Sequence, residues 1–235
     1  MNDFHPEIPH TTSTAPPPVL VAQLYLLTTL ALFFALAISV TLDKTQSFDQ
    51  NVLLALRDAS DMAQPIGPAW MLEVMRTFTA IGTGLSLTAI VLLGLAWLFF
   101  RGDRFSIAMF TIASVGGFVL NILLKIGMNR PRPSIVPLLS EIDPWSFPSG
   151  HAMMTMAIFL CLAVLIGRSI RSKRIRNLLR ISAVMLSLII GLSRMYLGVH
   201  YPSDVVAGWL LGLAWASACW LIGWKYHQWR SRARV

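Results

Sequence analysis

Lys125, Arg132, His151, Arg194, His200 and Asp204 are ionisable residues set among long apolar stretches. Ionisable groups at the ends of membrane-type segments are costly to desolvate and therefore mark places where chemistry or binding is done. These residue types suit a phosphate ester, whose negative charge must be met by fixed donors as it spreads in the transition state. Lys125, Arg132 and Arg194 offer three cations. An arginine fork grips two oxygens at once and a lysine acts as a mobile point charge, a mixture matched to a tetrahedral anion. Pro131 and Pro133 flank Arg132 and stop that loop from continuing the preceding helix.

Two further clusters complete the set. Pro148-Ser149-Gly150-His151 precedes a long apolar run, so Ser149 is the expected N-cap of a helix whose first amides can hold an anion. Gly150 leaves the approach to that backbone clear. His200 and Asp204 are four residues apart, one helical turn, so a helix starting near Tyr201-Pro202 brings the carboxylate to the imidazole. An aspartate on one ring nitrogen fixes the tautomer and leaves the other nitrogen as a nucleophile. Each cluster alone has an ordinary reading: headgroup anchors, a helix start after a proline loop, a polar pair capping a span. Their combination carries the argument.

The elements that must position these residues are membrane helices. The chain is 55% hydrophobic and 13% charged, against roughly 25% charged in a soluble domain, and its mean hydropathy is +0.64. Six apolar stretches of about the 17 to 25 residues that cross a bilayer lie near 19–41, 82–100, 105–127, 149–167, 181–199 and 204–224. The expected fold is all-α, a polytopic bundle of six transmembrane helices. Residues 1–18 read as a disordered tail, 19–225 as the membrane domain and 226–235 as a basic cytoplasmic tail, with the first span retained. His5 and His10 fall on the tail and are read as solvated. Cys161 and Cys219 lie inside spans, where a packing role is expected and a disulfide is not.

The net charge of +8 does not point to nucleic acid, because the basic residues gather in short loops beside the spans. Arg101, Arg104, six residues within 168–180 and four after the last span make twelve of the nineteen Lys and Arg. The positive-inside bias puts that side, and both termini, in the cytoplasm. All three clusters then face the outside, together with most of the acidic residues. Segment 48–59 is drawn as an amphipathic helix on the outer leaflet, with Phe48, Val52, Leu56 and Ala59 on one side. Trp145, Phe147, Tyr196 and Tyr201 are candidates for the site entrance or an interfacial belt, and Arg130 for a second phosphate of a diphosphate lipid or a surface anchor.

Lys125-x6-Arg132-Pro133, Pro148-Ser149-Gly150-His151 and Ser193-Arg194-x5-His200-x3-Asp204 together resemble the tripartite signature of the type 2 phosphatidic acid phosphatase superfamily, in order and in spacing. Asp49, Arg57 and Thr79-Ala80-Ile81-Gly82 resemble its bacterial membrane members more loosely. The resemblance implies that His200 attacks phosphorus and forms a phosphohistidine, that Asp204 orients it, and that His151 protonates the leaving oxygen and later activates water. Lys125, Arg132, Ser149, Gly150 and Arg194 would hold the phosphoryl oxygens, with no metal and no cofactor. It further implies a lipid phosphate substrate in a bacterial inner membrane, with the active site facing the periplasm. Undecaprenyl diphosphate is the first expectation, ahead of phosphatidylglycerol phosphate and phosphatidic acid. The alternatives are a lipid phosphotransferase and, from another class, a non-catalytic lipid-binding or transport protein. Transport would place ionisable or broken features near mid-bilayer, whereas here they cluster at one face.

Overall fold

The computed structural model describes residues 18–140 and 144–232. The N-terminal tail, His5, His10 and the final three residues lie outside them. The chain forms α1 (Pro18–Thr41), α2 (Gln46–Ala55), α3 (Ala69–Ile81), α4 (Gly84–Phe100), α5 (Arg104–Thr111), a π-helical turn (Ile112–Gly116), α6 (Gly117–Met128), α7 (Gly150–Gly167), α8 (Lys173–Tyr196) and α9 (Pro202–Arg232). Among the described residues there is no strand, only isolated bridges pairing Arg57 with Pro65 and Pro131 with Trp145. Five helical runs are long and apolar enough to cross a membrane: 19–41, 104–128, 150–167, 173–196 and 202–226. Taken together as one broken span, α3 and α4, bent by 48° at their junction, make a sixth.

The expected spans are recovered with two changes. The segment expected at 181–199 starts earlier, at Lys173, and ends at Tyr196, leaving 197–201 as a turn. The last span, expected over 204–224, covers 202–226 within a helix that continues to Arg232. Between the first two spans, the expected outer loop folds into α2 and α3. The amphipathic helix drawn over 48–59 stops at Ala55, and its buried face is Asp49 and Leu53 while Phe48 stays exposed.

α7 is apolar on every side, the pattern of a helix surrounded by others, and it forms the core of the bundle. Met153, Met154 and Met156 are buried along it, where flexible thioethers fill irregular gaps. α9 packs closely on α7 because Gly208 and Gly212 face it. A Cβ at Gly208 would meet Ser149 O at 2.7 Å, and one at Gly212 would meet Met153 O at 2.5 Å. This small-x3-small spacing is how membrane helices bring their backbones together, and here it docks the start of α9 onto the start of α7. The amide of Ser149 seals the contact by donating to Asp204 O at 3.0 Å.

Arg101 Nη1 donates to Ser169 Oγ at 2.7 Å and Arg168 Nη1 to Ser106 Oγ at 3.0 Å, so the α4–α5 and α7–α8 connections meet at one end of the bundle. Phe105 stacks on Tyr226 with ring centroids 4.7 Å apart, which brings the end of α9 there as well. The basic segments therefore share one end. The three polar clusters share the other.

Candidate active site

The C-terminal end of α6, the N-terminal end of α7, the C-terminal end of α8 and the turn before α9 converge on one cavity of about 490 Å³. Six of the eight residues expected to act there line it: Lys125, Arg132, Gly150, His151, Arg194 and His200. The other two, Ser149 and Asp204, are fully buried behind it.

Ser149 caps α7, its Oγ accepting from the amide of Ala152 at 3.5 Å, while Gly150 and His151 have first-turn amides with no intrahelical acceptor. His151 Nε2 is buried and has no hydrogen-bond partner among the described residues. Lys125 donates to Trp145 O at 3.1 Å, which holds its ammonium at the rim. Arg194 donates to Thr79 Oγ1 at 2.8 Å.

Arg132 Nη1 lies 3.1 Å from His200 Nε2 and also donates to Val199 O. A guanidinium has donors only, so Nε2 is the accepting nitrogen and carries the lone pair. Nδ1 then faces Asp204 Oδ2 at 3.5 Å. That is longer than a formed hydrogen bond, in keeping with catalytic contacts that tighten only around substrate. The orientation turns Nε2 toward the cavity's cations and Nδ1 toward Asp204.

Asp204 is held from other sides. Its Oδ1 accepts from Arg130 Nη1 and its Oδ2 from the amide of Tyr201 at 2.9 Å. Arg130 Nη2 reaches Asp49 Oδ2 at 2.8 Å, and Asp49 also accepts from the amide and hydroxyl of Ser203. Burial pulls the Arg130 guanidinium toward losing its proton, but Asp204 and Asp49 together raise its pKa above the ordinary arginine value. Arg130, considered in the sequence for a second phosphate, is thus a clamp between two buried carboxylates, with its guanidinium 4.3 Å from the Tyr201 ring centroid.

None of the four aromatic residues considered for the entrance lines the cavity. Phe147 is buried 6.0 Å from Phe33, Tyr196 donates its hydroxyl to Ile66 O, and Tyr201 sits against Arg130. Trp145 contributes its carbonyl to Lys125.

Sequence reasoning missed Asn121, and although it singled out Asp49 and Thr79-Ala80-Ile81-Gly82 by a loose resemblance, it gave neither the Asp49 clamp nor the elbow between α3 and α4 a role. Asn121 lies one turn before Lys125 and lines the cavity, and a Cβ on Gly150 would meet its Oδ1 at 3.0 Å. A lone amide in an apolar span was the available signal. At the elbow, a Cβ on Gly82 would meet His151 Cδ2 and Ile190 Cγ2, both at 2.8 Å. Gly82→Ala must therefore push the imidazole or the elbow aside. Displacements of this order cost roughly 10²-fold in rate, and kcat is expected to fall by that much while the melting temperature shows the fold intact.

A family model described as the PAP2 superfamily matches residues 104–228, 125 of the 235 residues. The chain belongs to the PAP2 superfamily. It is 32% identical to phosphatidylglycerophosphatase B of Bacillus subtilis over 184 residues, 77% of this chain and 86% of the relative. It is 34% identical to the undecaprenyl-diphosphatase of Sulfolobus acidocaldarius over 113 residues, 45% of this chain and 49% of the relative. The crystal structure of a transmembrane PAP2 type phosphatidylglycerolphosphate phosphatase from Bacillus subtilis superposes with a TM-score of 0.76. That alignment has 26% identity and covers 86% of this chain and 96% of that one. The PAP2 match begins at α5 and so includes every residue of the cavity's charged rim, while Asp49, Thr79 and Gly82 lie before it.

Proposed function

We propose that this PAP2 lipid phosphatase removes the terminal phosphate of a membrane lipid at the periplasmic face of a bacterial inner membrane, through a phosphohistidine on His200. One observation carries the reading. Below its cationic rim the cavity continues between α4 and the α5–α6 run, lined by Leu87, Val91, Leu92, Val115 and Phe118. Leu92, Val115 and Phe118 are each more than half exposed on the membrane-facing surface. A phosphate can lie among Lys125, Arg132 and Arg194 while its tail leaves sideways into hydrocarbon. The π-turn forms part of this wall, and Trp215 Nε1 donates to Ala113 O at 2.9 Å, satisfying backbone that the wider turn disturbs.

His200 Nε2 attacks phosphorus as the phosphorus–oxygen bond to the lipid breaks, and His151, as imidazolium, gives its proton to the departing oxygen. Neutral His151 then takes a proton from water, which attacks the phosphohistidine and frees inorganic phosphate and His200. Arg132, Arg194, Lys125 and the first amides of α7 hold the non-bridging oxygens in both steps. The opposing charge asymmetry of the two ends supports the periplasmic assignment.

The lining offers three Lys or Arg side chains, and Arg130 is engaged by Asp49 and Asp204. This favours a lipid phosphomonoester, with phosphatidylglycerol phosphate first. Undecaprenyl diphosphate is the second reading, favoured by the likeness to an undecaprenyl-diphosphatase. The test is phosphate release by purified protein in detergent containing EDTA, comparing these two lipids and phosphatidic acid. Release that persists in EDTA and is fastest with phosphatidylglycerol phosphate is expected. A preference for undecaprenyl diphosphate would reverse the order. Phosphate appearing only when a lipid acceptor is added would replace hydrolysis by phosphotransfer.

A further inference from the structure

A second cavity, of about 320 Å³, opens at the end of the bundle opposite the active site, among α1, α5, α7, α8 and α9. Arg168, which lines it, follows the last residue of α7, about 28.5 Å along that helix from Ser149 at 1.5 Å per residue. Its walls are apolar, with Tyr25 and Trp220 among them, and both cysteines of the chain, Cys161 and Cys219, face it as free thiols. Its mouth carries Arg168 and Arg180.

Those two cations are unevenly matched by protein. Arg168 donates to the Ser106 hydroxyl, and Arg180 makes a 3.4 Å contact with Asn177 Oδ1. Among the described residues Arg180 is in no ion pair, and the one carboxylate at that end, Asp103, caps α5 by accepting from the amide of Ser106 at 3.0 Å while also feeling the charges of Arg168 and Arg101. Arg101, Arg104, Arg171, Lys173, Arg174 and Arg176 add positive charge in the α4–α5 and α7–α8 connections and the helix ends beside them. Arg180 sits two turns inside the span that begins at Lys173. A cation at that depth is costly unless its head reaches the interface or meets an anion.

An apolar cleft topped by cations between membrane helices is the complement of one molecule: a lipid with an anionic head and a hydrocarbon tail. We propose that this cavity binds an anionic glycerophospholipid from the leaflet at the basic end, with one acyl chain between Tyr25 and Trp220 and the phosphodiester between Arg168 and Arg180. The lipid is a ligand, not a substrate, because the phosphatase residues lie at the other end of α7. The proposal is independent of the function assigned to the active site.

Trp220 supplies the readout. The full chain is reconstituted in phosphatidylcholine vesicles containing increasing fractions of phosphatidylglycerol with brominated acyl chains, or of phosphatidylcholine brominated in the same way. Trp220 fluorescence is taken as the difference from Trp220→Phe. Two interfacial cations favour an anionic head strongly enough that half-quenching is expected at about tenfold lower brominated phosphatidylglycerol. The Arg168→Gln/Arg180→Gln double variant should quench equally with both lipids while keeping its melting temperature. Equal quenching by the two lipids in the unaltered chain overturns the proposal, and this comparison stands even if the double variant fails to fold. A preference that survives in the folded double variant also overturns it.

Discussion

His200→Ala is expected to lower lipid phosphate release by roughly 10⁴-fold or more, the scale at which removing a nucleophile disables a group of residues acting as a unit. The expectation follows from placement. His200 is 1% exposed, lines the cavity, and turns Nε2 toward Arg132 at 3.1 Å. Water substituting for the lost imidazole would have to reach phosphorus with no general base of its own if, as proposed, His151 serves the leaving oxygen. Substrate binding should change little, because Lys125, Arg132, Arg194 and the α7 amides remain. The check is kcat and KM measured together: a collapse in kcat with KM nearly unchanged is expected, and a rise in KM alone would make His200 a binding group.

Asp204→Asn should cost nearly as much, roughly 10³- to 10⁴-fold in kcat, as for an orienting aspartate exchanged for its amide. The carboxylate does three things that an amide cannot do together. It faces His200 Nδ1 at 3.5 Å, accepts from Arg130 and accepts from the amide of Tyr201. An asparagine must turn either its NH₂ or its oxygen toward Arg130, and it leaves the imidazolium of the attack without an opposing charge. Asp49→Asn separates the two roles. Asp49 touches Arg130 and Ser203 without bordering His200, so its loss removes one partner of a buried charge cluster, which costs about 3–5 kcal/mol. Its expected signature is a lowered melting temperature with a much smaller fall in kcat than Asp204→Asn shows.

The site was more legible in the sequence than the scaffold around it. Lys125, Arg132, His151, Arg194 and His200 stand out because ionisable residues in apolar surroundings are rare, and their spacing survives folding where it lies within one turn, as from His200 to Asp204. The spans were visible for the same reason: length and hydropathy alone select them. What escaped depended on contacts between distant segments. Asp49 and Arg130 are 81 residues apart, and nothing in either neighbourhood shows that they share a partner, so Arg130 could be drawn as a phosphate ligand. Gly82, Gly208 and Gly212 matter only for what lies opposite them. The face of α2 was misjudged because Asp49, a polar residue, is its buried side, and a hydrophobicity pattern places it toward water.

Acid-labile, base-stable phosphate on His200 tests the central claim most directly. The purified chain is mixed with a lipid carrying ³²P in its terminal phosphate, quenched in alkali within a turnover, and digested for peptide mapping. Label on the peptide containing His200, absent in His200→Ala and accumulating in a variant of His151 slowed at the water step, is the predicted result. Phosphate released at the normal rate with no label on His200 at any quench time would contradict the account and make His200 a base for direct attack by water.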